Sequence, residues 1–285
     1  MPSPLLDREE YIEQAYFFRV YRERLADGVP SQIILESIHE ELLATTKLPF
    51  AISFLKGEML LTGKMGAGMS HLSHYFTPFQ TFMIDKAEDE SSRFEQTTAL
   101  LVLEREAEYH SQDPTPAGLF IYQFECVSRN RLGYDRGLTA IAADPLFDEN
   151  WRDWILKIKR QLGDVDFADI IYWRSELWEL DKRRKPGNEA YATPYPILFG
   201  MREGRIAKAN RGKEPLYMFS ALQRHLNYPA VPRVVPPPAV PIVHPMLEAR
   251  LQKIEKQLSF LEGDLRGGVD LSEYIVKPPD FEAKP

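Results

Sequence analysis

The sequence predicts a mainly α-helical fold, with a multi-helix body of about nine helices, a proline-rich linker and a C-terminal amphipathic helix. Apolar residues recur at spacings of three and four through most of residues 7–228, as on the buried face of a helix. Pro, Gly and Asn residues separate these segments at positions where helices begin and end. A segment near residues 119–142 also fits strands, which leaves a short β-hairpin there as an alternative.

The N-terminal part contains the first predicted helices. Residues 7–27 show an apolar stripe that ends at Gly28, and a second helix follows Pro30. A third helix follows Pro49. Residues 78–112 contain no helix breaker, so they predict one long helix with a bend in the polar stretch 86–93.

The second part of the body begins after Pro114 and Pro116. Residues 119–127 alternate as a strand would, but helical neighbours favour a buried helix that ends at Gly133. The remaining predicted helices cover residues 144–163, 166–185, 194–210 and 215–226.

The Pro, Gly and Asn residues that separate these segments also suggest that the chain has five regions. An acidic helical region, 1–113, is followed by a second helical region, 114–228, which could equally be continuous with the first. The proline-rich linker, the heptad helix and an extended tail then occupy residues 229–245, 246–266 and 267–285.

Composition is that of a soluble globular protein. The chain has 285 residues, 44% hydrophobic and 27% charged, and a formal net charge of −7. Its beginning lacks the basic and apolar regions of a secretory signal, and no apolar run is long enough to span a bilayer. We therefore expect a cytoplasmic protein, in which the single cysteine, Cys126, is a buried apolar side chain.

The C-terminal heptads carry the main functional expectation. Seven prolines between Pro229 and Pro245 precede a helix with a 3.5-residue apolar period, typical of a coiled-coil seam. The helix is under three heptads long, so it could equally fold back on its own body. The predicted interface residues are Leu247, Leu251, Ile254, Leu258, Leu261 and Leu265.

This seam predicts a scaffold or adaptor that associates with a second copy or a protein partner. Because no catalytic motif stands out, an enzyme with a site assembled from distant residues is the alternative. The phrases NRLGYDRGL and GRIAKANRGKEP resemble an uncharacterised bacterial protein family with no assigned function. That resemblance implies neither a fold nor an activity.

A basic stripe offers a third possibility. Residues 1–113 carry 19 acidic and 10 basic side chains, whereas residues 202–233 carry seven basic and two acidic ones. Cations spaced mostly three apart could bind an anion or pair within the molecule. An acidic chain without interleaved aromatic residues makes nucleic acid an improbable partner. The candidate anion-binding residues are Arg202, Arg205, Lys208, Arg211 and Lys213.

Possible metal ligands are sparse. Glu36 and His39 share a helix face, and Glu106 with His110 could imitate a second pair, with His71 and His74 nearby in sequence. Since the second ExxH motif is missing, the pattern predicts solvated helix faces, with no metal and no cofactor.

Two further features receive a structural interpretation. The glycine-containing loop 64–70 could present N–H groups to a phosphate, but it lacks both phosphate-loop spacings and predicts a flexible turn. An aromatic cluster predicts core packing, although a few of its rings could line a groove. Its members are Trp151, Trp154, Tyr172, Trp173 and Trp178.

Overall fold

A computed structural model describes residues 6–187, 189–232, 250, 253–255 and 257–258. Main-chain proximity divides the chain into residues 1–234 and residues 235–285. The described residues of the first unit form thirteen helices. They are α1 (Arg8–Ala26), α2 (Ser31–Glu41), α3 (Leu48–Thr62), α4 (Met65–His71), α5 (Pro78–Ala87), α6 (Gln96–His110), α7 (Pro116–Arg129), α8 (Tyr134–Ala142), α9 (Glu149–Ile158), α10 (Phe167–Tyr172), α11 (Glu176–Arg183), α12 (Met201–Ala209) and α13 (Pro215–Leu226).

The mainly α prediction is confirmed, but the helices are more numerous and shorter than expected. Within the described residues β pairing is limited to two isolated bridges, Leu162 with Val165 and Ser175 with Phe199. None of the helices in this described part is long and apolar enough to cross a membrane.

The possible β-hairpin near residues 119–142 is wrong, because the segment forms α7 and α8. Thr115 starts α7 by accepting a hydrogen bond from Gly118 N at 3.1 Å. Every residue from Gly118 to Val127 is buried. When all faces of a helix are buried, apolar alternation loses its value as a sign of a strand.

The predicted long helix over residues 78–112 is two helices, α5 and α6, and the interruption lies at the expected polar stretch. Glu88 ends α5 and turns its carboxylate to the start of α4, where it accepts hydrogen bonds from Met65 N at 2.6 Å and Gly66 N at 3.0 Å. Asp89 then closes a turn by accepting a bond from Ser91 N. Tertiary hydrogen bonds therefore outweigh helix continuation here.

The predicted helices over 166–185 and 194–210 are also revised. The first divides into α10 and α11 at Ser175, and the second begins only at Met201. The extended backbone before α12 forms hydrogen bonds with the residues between α10 and α11. Leu198 N donates to Arg174 O at 2.9 Å, and Glu176 N donates to Phe199 O at 3.0 Å. These bonds satisfy helix ends that would otherwise lack partners.

The core extends from α1 to α13 and contains most of the large apolar side chains. The α1 and α6 helices pack along each other, and α7 packs against α8 and α13. Cys126 on α7 is fully buried, as expected from its apolar neighbours in sequence.

Candidate metal centre

A polar cluster lies inside this apolar core. Glu106 and His110 come from α6, Gln123 comes from α7, and Asp144 comes from the turn between α8 and α9. Their exposed fractions are 0%, 3%, 0% and 1%. Charged residues are rarely buried so completely unless they are paired or bind an ion.

Helix periodicity and one tight turn bring these side chains together. Glu106 and His110 are four residues apart, so they project from the same face of α6. Asp144 lies just after α8, where its Oδ1 accepts a hydrogen bond from Leu146 N at 2.9 Å. This bond fixes the carboxylate of Asp144 and leaves Oδ2 directed at Gln123.

The geometry of the cluster is close. One ligand atom from each of Glu106, His110 and Asp144 lies within 4.8 Å of the other two. Gln123 joins the two carboxylates, because its Nε2 donates to Glu106 Oε1 at 2.7 Å and to Asp144 Oδ2 at 3.2 Å. The ring of Tyr11 stacks on that of His110 with centroids 4.6 Å apart and an interplanar angle of 9°.

The electrostatics of the cluster favour neutral ligands or a compensating cation. Burial, with a smaller contribution from the nearby Asp144 charge, raises the pKa of Glu106 to about 8, against the opposing effect of the neighbouring amide groups of Gln123 and Gln80. Burial also lowers the pKa of His110, although Asp144 opposes that change. His110 is therefore a neutral imidazole near neutral pH, the form that binds metals.

Four buried polar atoms of the cluster have no hydrogen-bond partner among the described protein groups. They are Glu106 Oε2, His110 Nδ1, His110 Nε2 and Gln123 Oε1. A buried polar atom without a partner costs about 1–3 kcal/mol. Their concentration at one point suggests a site made for something other than protein hydrogen bonds.

A neighbouring polar network shows that this core can satisfy buried groups. Glu10 Oε2 accepts a hydrogen bond from Tyr75 OH at 2.9 Å, and Glu10 Oε1 accepts one from Lys47 N at 2.7 Å. Gln80 Nε2 donates to Gln14 Oε1 at 3.0 Å. The side chains of Glu10, Gln14, Tyr75 and Gln80 are buried too, so burial alone does not explain the missing partners at Glu106 and His110.

Chemically, the cluster offers one imidazole nitrogen and two carboxylate oxygens. This mixed donor set suits Zn²⁺, Mn²⁺ or Fe²⁺. Two carboxylates and a divalent ion would be neutral together, which removes the cost of burying uncompensated charge. The near-complete burial of all three side chains keeps bulk solvent away from the cluster. Three protein ligands would leave one position of a tetrahedral ion open for a fourth ligand.

Sequence reasoning located part of this site. Glu106 and His110 were expected on a solvated helix face, and that expectation is wrong because both are buried. Asp144 was interpreted only as a helix start, and Gln123 carried no signal. The position of Asp144 before Pro145 signals only a helix start, and no sequence pattern indicates that Asp144 or Gln123 contacts α6.

The other possible ligands lie elsewhere. Glu36 and His39 are exposed on α2, where Glu36 accepts a hydrogen bond from Lys56 at 2.8 Å. His71 and His74 are also exposed. The solvated face predicted for Glu36 and His39 is therefore confirmed.

The loop over residues 64–70 contains the short helix α4, so the predicted flexible turn is wrong. Its first N–H groups are occupied by the carboxylate of Glu88. A phosphate would have to displace this side chain.

The basic stripe is divided by its contacts. Lys208 pairs with Asp181, and Arg211 pairs with Asp169 while its guanidinium lies 4.3 Å from the ring centroid of Tyr172. Arg202, Arg205 and Lys213 are exposed and form no ion pair with a described residue. At least two of its cations are thus occupied within the molecule.

Four of the predicted interface residues, Leu247, Leu251, Leu261 and Leu265, lie outside the described residues. Ile254 and Leu258 are described, in helical backbone. Their side chains are 51% and 53% exposed.

Comparisons of the chain with protein-family models, with curated proteins and with solved structures returned no match.

Proposed function

We propose that this protein binds one divalent transition-metal ion, with Glu106, His110 and Asp144 as ligands. The observation that carries the proposal is the proximity of three fully buried potential ligands, two of which retain polar atoms without a protein partner. The Gln123 amide would hold both carboxylates in place by donating a hydrogen bond to each.

The ion would connect parts of the fold that are far apart in sequence. Its ligands would come from α6 and from the α8–α9 turn. Binding to the folded state alone would stabilise the body in proportion to the logarithm of free ion concentration. We therefore assign the ion a structural role.

Elemental analysis tests this function directly. The protein would be produced in medium containing zinc, manganese and iron, desalted, and measured by mass spectrometry for metal per chain. We expect close to one equivalent of a single metal, and removal of that metal by a chelator should lower the melting temperature. The loss reflects binding energy that contributes to folding.

Two conservative variants identify the ligands. His110→Gln and Asp144→Asn remove a ligand while keeping the approximate side-chain volume, and each should lower metal content by at least about tenfold. His39→Gln is the matched control, since His39 is exposed on α2. Less than about 0.2 equivalents in correctly folded wild-type protein would reject the metal function.

We also propose association through the C-terminal heptad helix as a second function. The supporting observation is the half-exposure of Ile254 and Leu258, which are four residues apart and project from one helix face. An apolar stripe of this kind gains free energy when a partner helix covers it.

Sedimentation velocity of the full chain tests this association. Wild-type protein should sediment as an oligomer at high micromolar concentration, and Ile254→Lys with Leu258→Lys should make it a monomer. Lys253→Gln is a control on the same helix. Monomeric wild-type protein across the concentration range would contradict self-association.

A further inference from the structure

A second site is formed by the C-terminal part of the helical body. A cavity of about 510 Å³ lies among the end of α9, the α10–α11 junction and the extended segment before α12. This volume falls in the range of roughly 300–1,000 Å³ that is typical of small-molecule sites. The cavity is separate from the Glu106 cluster, because none of the cluster residues lines it.

The charge of this cavity has one sign. Its twelve lining residues include Lys157, Arg160 and Arg174 and no carboxylate, although the whole chain has a net charge of −7. Among the described residues, Arg160 and Arg174 form no ion pair, and Lys157 has only a distant contact with exposed Asp153 at 3.9 Å. Uncompensated cations around a concave surface attract anions.

Aromatic rings form much of the remaining wall. Trp154 closes the inner side and is 3% exposed, whereas Trp173 is 38% exposed and Tyr195 is 59% exposed. Trp178 and Tyr191 complete the set. Exposed aromatic faces beside arginines provide stacking surfaces for a planar ring.

The walls are held by contacts within the fold. The Arg174 guanidinium lies over the Tyr195 ring at 4.6 Å from its centroid, and the Arg174 carbonyl accepts a hydrogen bond from Leu198 N at 2.9 Å. Arg183 Nε donates to Tyr191 O at 2.7 Å. Arg174, Tyr191 and Tyr195 are thus positioned before any ligand arrives, which lowers the entropic cost of binding.

We propose that this cavity binds a small anionic aromatic molecule, one that joins a planar ring to a phosphate or carboxylate group, as a mononucleotide does. The ring would stack among Trp173, Trp178 and Tyr195, and the anion would bind the guanidinium groups of Arg160 and Arg174. Guanidinium groups match the geometry of phosphate and carboxylate oxygens.

Intrinsic fluorescence gives a direct measurement, because three of the four tryptophans, Trp154, Trp173 and Trp178, line the cavity. The full-length protein would be titrated with AMP, phenyl phosphate and benzoate. Adenosine and inorganic phosphate serve as half-ligand controls. We expect saturable quenching by at least one anionic aromatic probe, and binding of the half-ligands that is at least about tenfold weaker.

Variants separate this site from general surface charge. The double change Arg160→Gln and Arg174→Gln should weaken the binding of the best probe by at least about tenfold. The matched control, Arg93→Gln with Arg152→Gln, removes two exposed cations that do not line the cavity and should leave binding unchanged. Circular dichroism would verify that both proteins fold.

Three outcomes would overturn the proposal. One is the absence of saturable quenching by all three anionic probes at millimolar concentration. Another is an equal loss of binding in the double variant and its control. The third is a ten-nucleotide oligoadenylate that binds more than about tenfold tighter per site than AMP, which would identify single-stranded nucleic acid as the occupant.

Discussion

Glu106 occupies a position where its charge must be neutralised, either by a proton or by a cation. It is fully buried, and Gln123 holds it close to a second carboxylate, Asp144. A proton on Glu106 would relieve the repulsion but would leave the two His110 nitrogens without partners. A metal ion would neutralise both carboxylates and also bind one of those nitrogens.

The proton alternative gives the metal-free protein a characteristic pH dependence. The pKa of Glu106 rises from 4.5 to about 8 on folding. Between these values the folded state holds a proton that the unfolded state has lost, so the free energy of unfolding falls as pH rises. Glu106 alone should contribute a fall of about 1 kcal/mol per pH unit over this range. His110 contributes with the opposite sign below its ordinary pKa of 6.5, because burial lowers its pKa in the folded state.

Urea unfolding in the presence of a chelator, repeated at several pH values, measures this slope. Glu106→Gln is the informative variant, because the amide side chain of Gln does not titrate. The difference in stability between the variant and wild type isolates Glu106 from His110, which titrates in both proteins, and it should shift in favour of the variant between pH 5 and pH 8. Parallel pH profiles for the two proteins would show that Glu106 is not protonated on folding.

Tyr75 allows a second test at the same scale. Its hydroxyl donates to Glu10 at 2.9 Å, and both side chains are buried. Tyr75→Phe leaves one buried carboxylate oxygen without that donor, which should lower the free energy of unfolding by about 1–3 kcal/mol. Tyr217→Phe, at a ring that is 64% exposed, should change it by less than about 0.5 kcal/mol. Similar denaturation midpoints for both variants would show that the Tyr75–Glu10 bond adds no net stability.

At the scale of elements, the helices end where tertiary contacts compete with helix continuation. Sequence patterns predicted most of the helical segments, because apolar periodicity and proline positions are local signals. They did not predict that Glu88 would bind the start of α4, or that Ser175 would pair with Phe199. Both contacts join residues more than 20 positions apart, so no local pattern records them.

The division at Ser175 depends on close packing with α12. A Cβ atom at Gly204 would lie 2.8 Å from Ser175 Cβ and 2.9 Å from Leu177 Cβ. Gly204→Ala should therefore destabilise the protein by about 1–3 kcal/mol through overpacking. Thermal or urea unfolding measures the change.

Gly57 lies in a middle turn of α3 and is exposed to solvent. It provides a control at which alanine should change stability in the opposite direction. A Cβ there meets nothing within 4 Å, so Gly57→Ala should stabilise the protein by about 0.5–1 kcal/mol. If Gly204→Ala stabilises the protein as Gly57→Ala does, the overpacking expected between α12 and the α10–α11 junction does not occur.

At the scale of the whole molecule, distant contacts assemble both proposed sites. Four residues between positions 106 and 144 meet in the buried polar cluster, and lining residues between positions 154 and 195 form the cavity. Sequence reasoning recognised the α6 pair and the aromatic residues separately. It could not join them to their partners, because helix packing and turn direction determine those distances.

The end of the helical body also depends on distant contacts. Tyr228 is 3% exposed, and its hydroxyl donates to Glu125 Oε2 at 2.6 Å. Tyr109 OH donates to Leu226 O at 2.9 Å, and Asn130 Nδ2 donates to Pro232 O at 3.0 Å. Residues 226–232 are thereby joined to α6 and α7.

A chain that ends at residue 227 should consequently be less stable than one that ends at residue 234. Loss of the buried Tyr228 ring should cost about 3–5 kcal/mol, and each kcal/mol corresponds to roughly 2–4 °C in melting temperature. Differential scanning calorimetry of the two chains measures the difference. Equal melting temperatures would show that the residues after α13 add nothing to the stability of the body.

Because Cys126 is buried, the rate at which its thiol reacts with a labelling reagent measures local opening of the fold. The thiol is the sole one in the chain and sits on α7, one turn from Gln123. Burial raises the pKa of Cys126 well above the ordinary value, so a thiol reagent reacts only when α7 separates from its neighbours. The labelling rate therefore reports how often the helix that holds both carboxylates moves away from them, with no engineered probe.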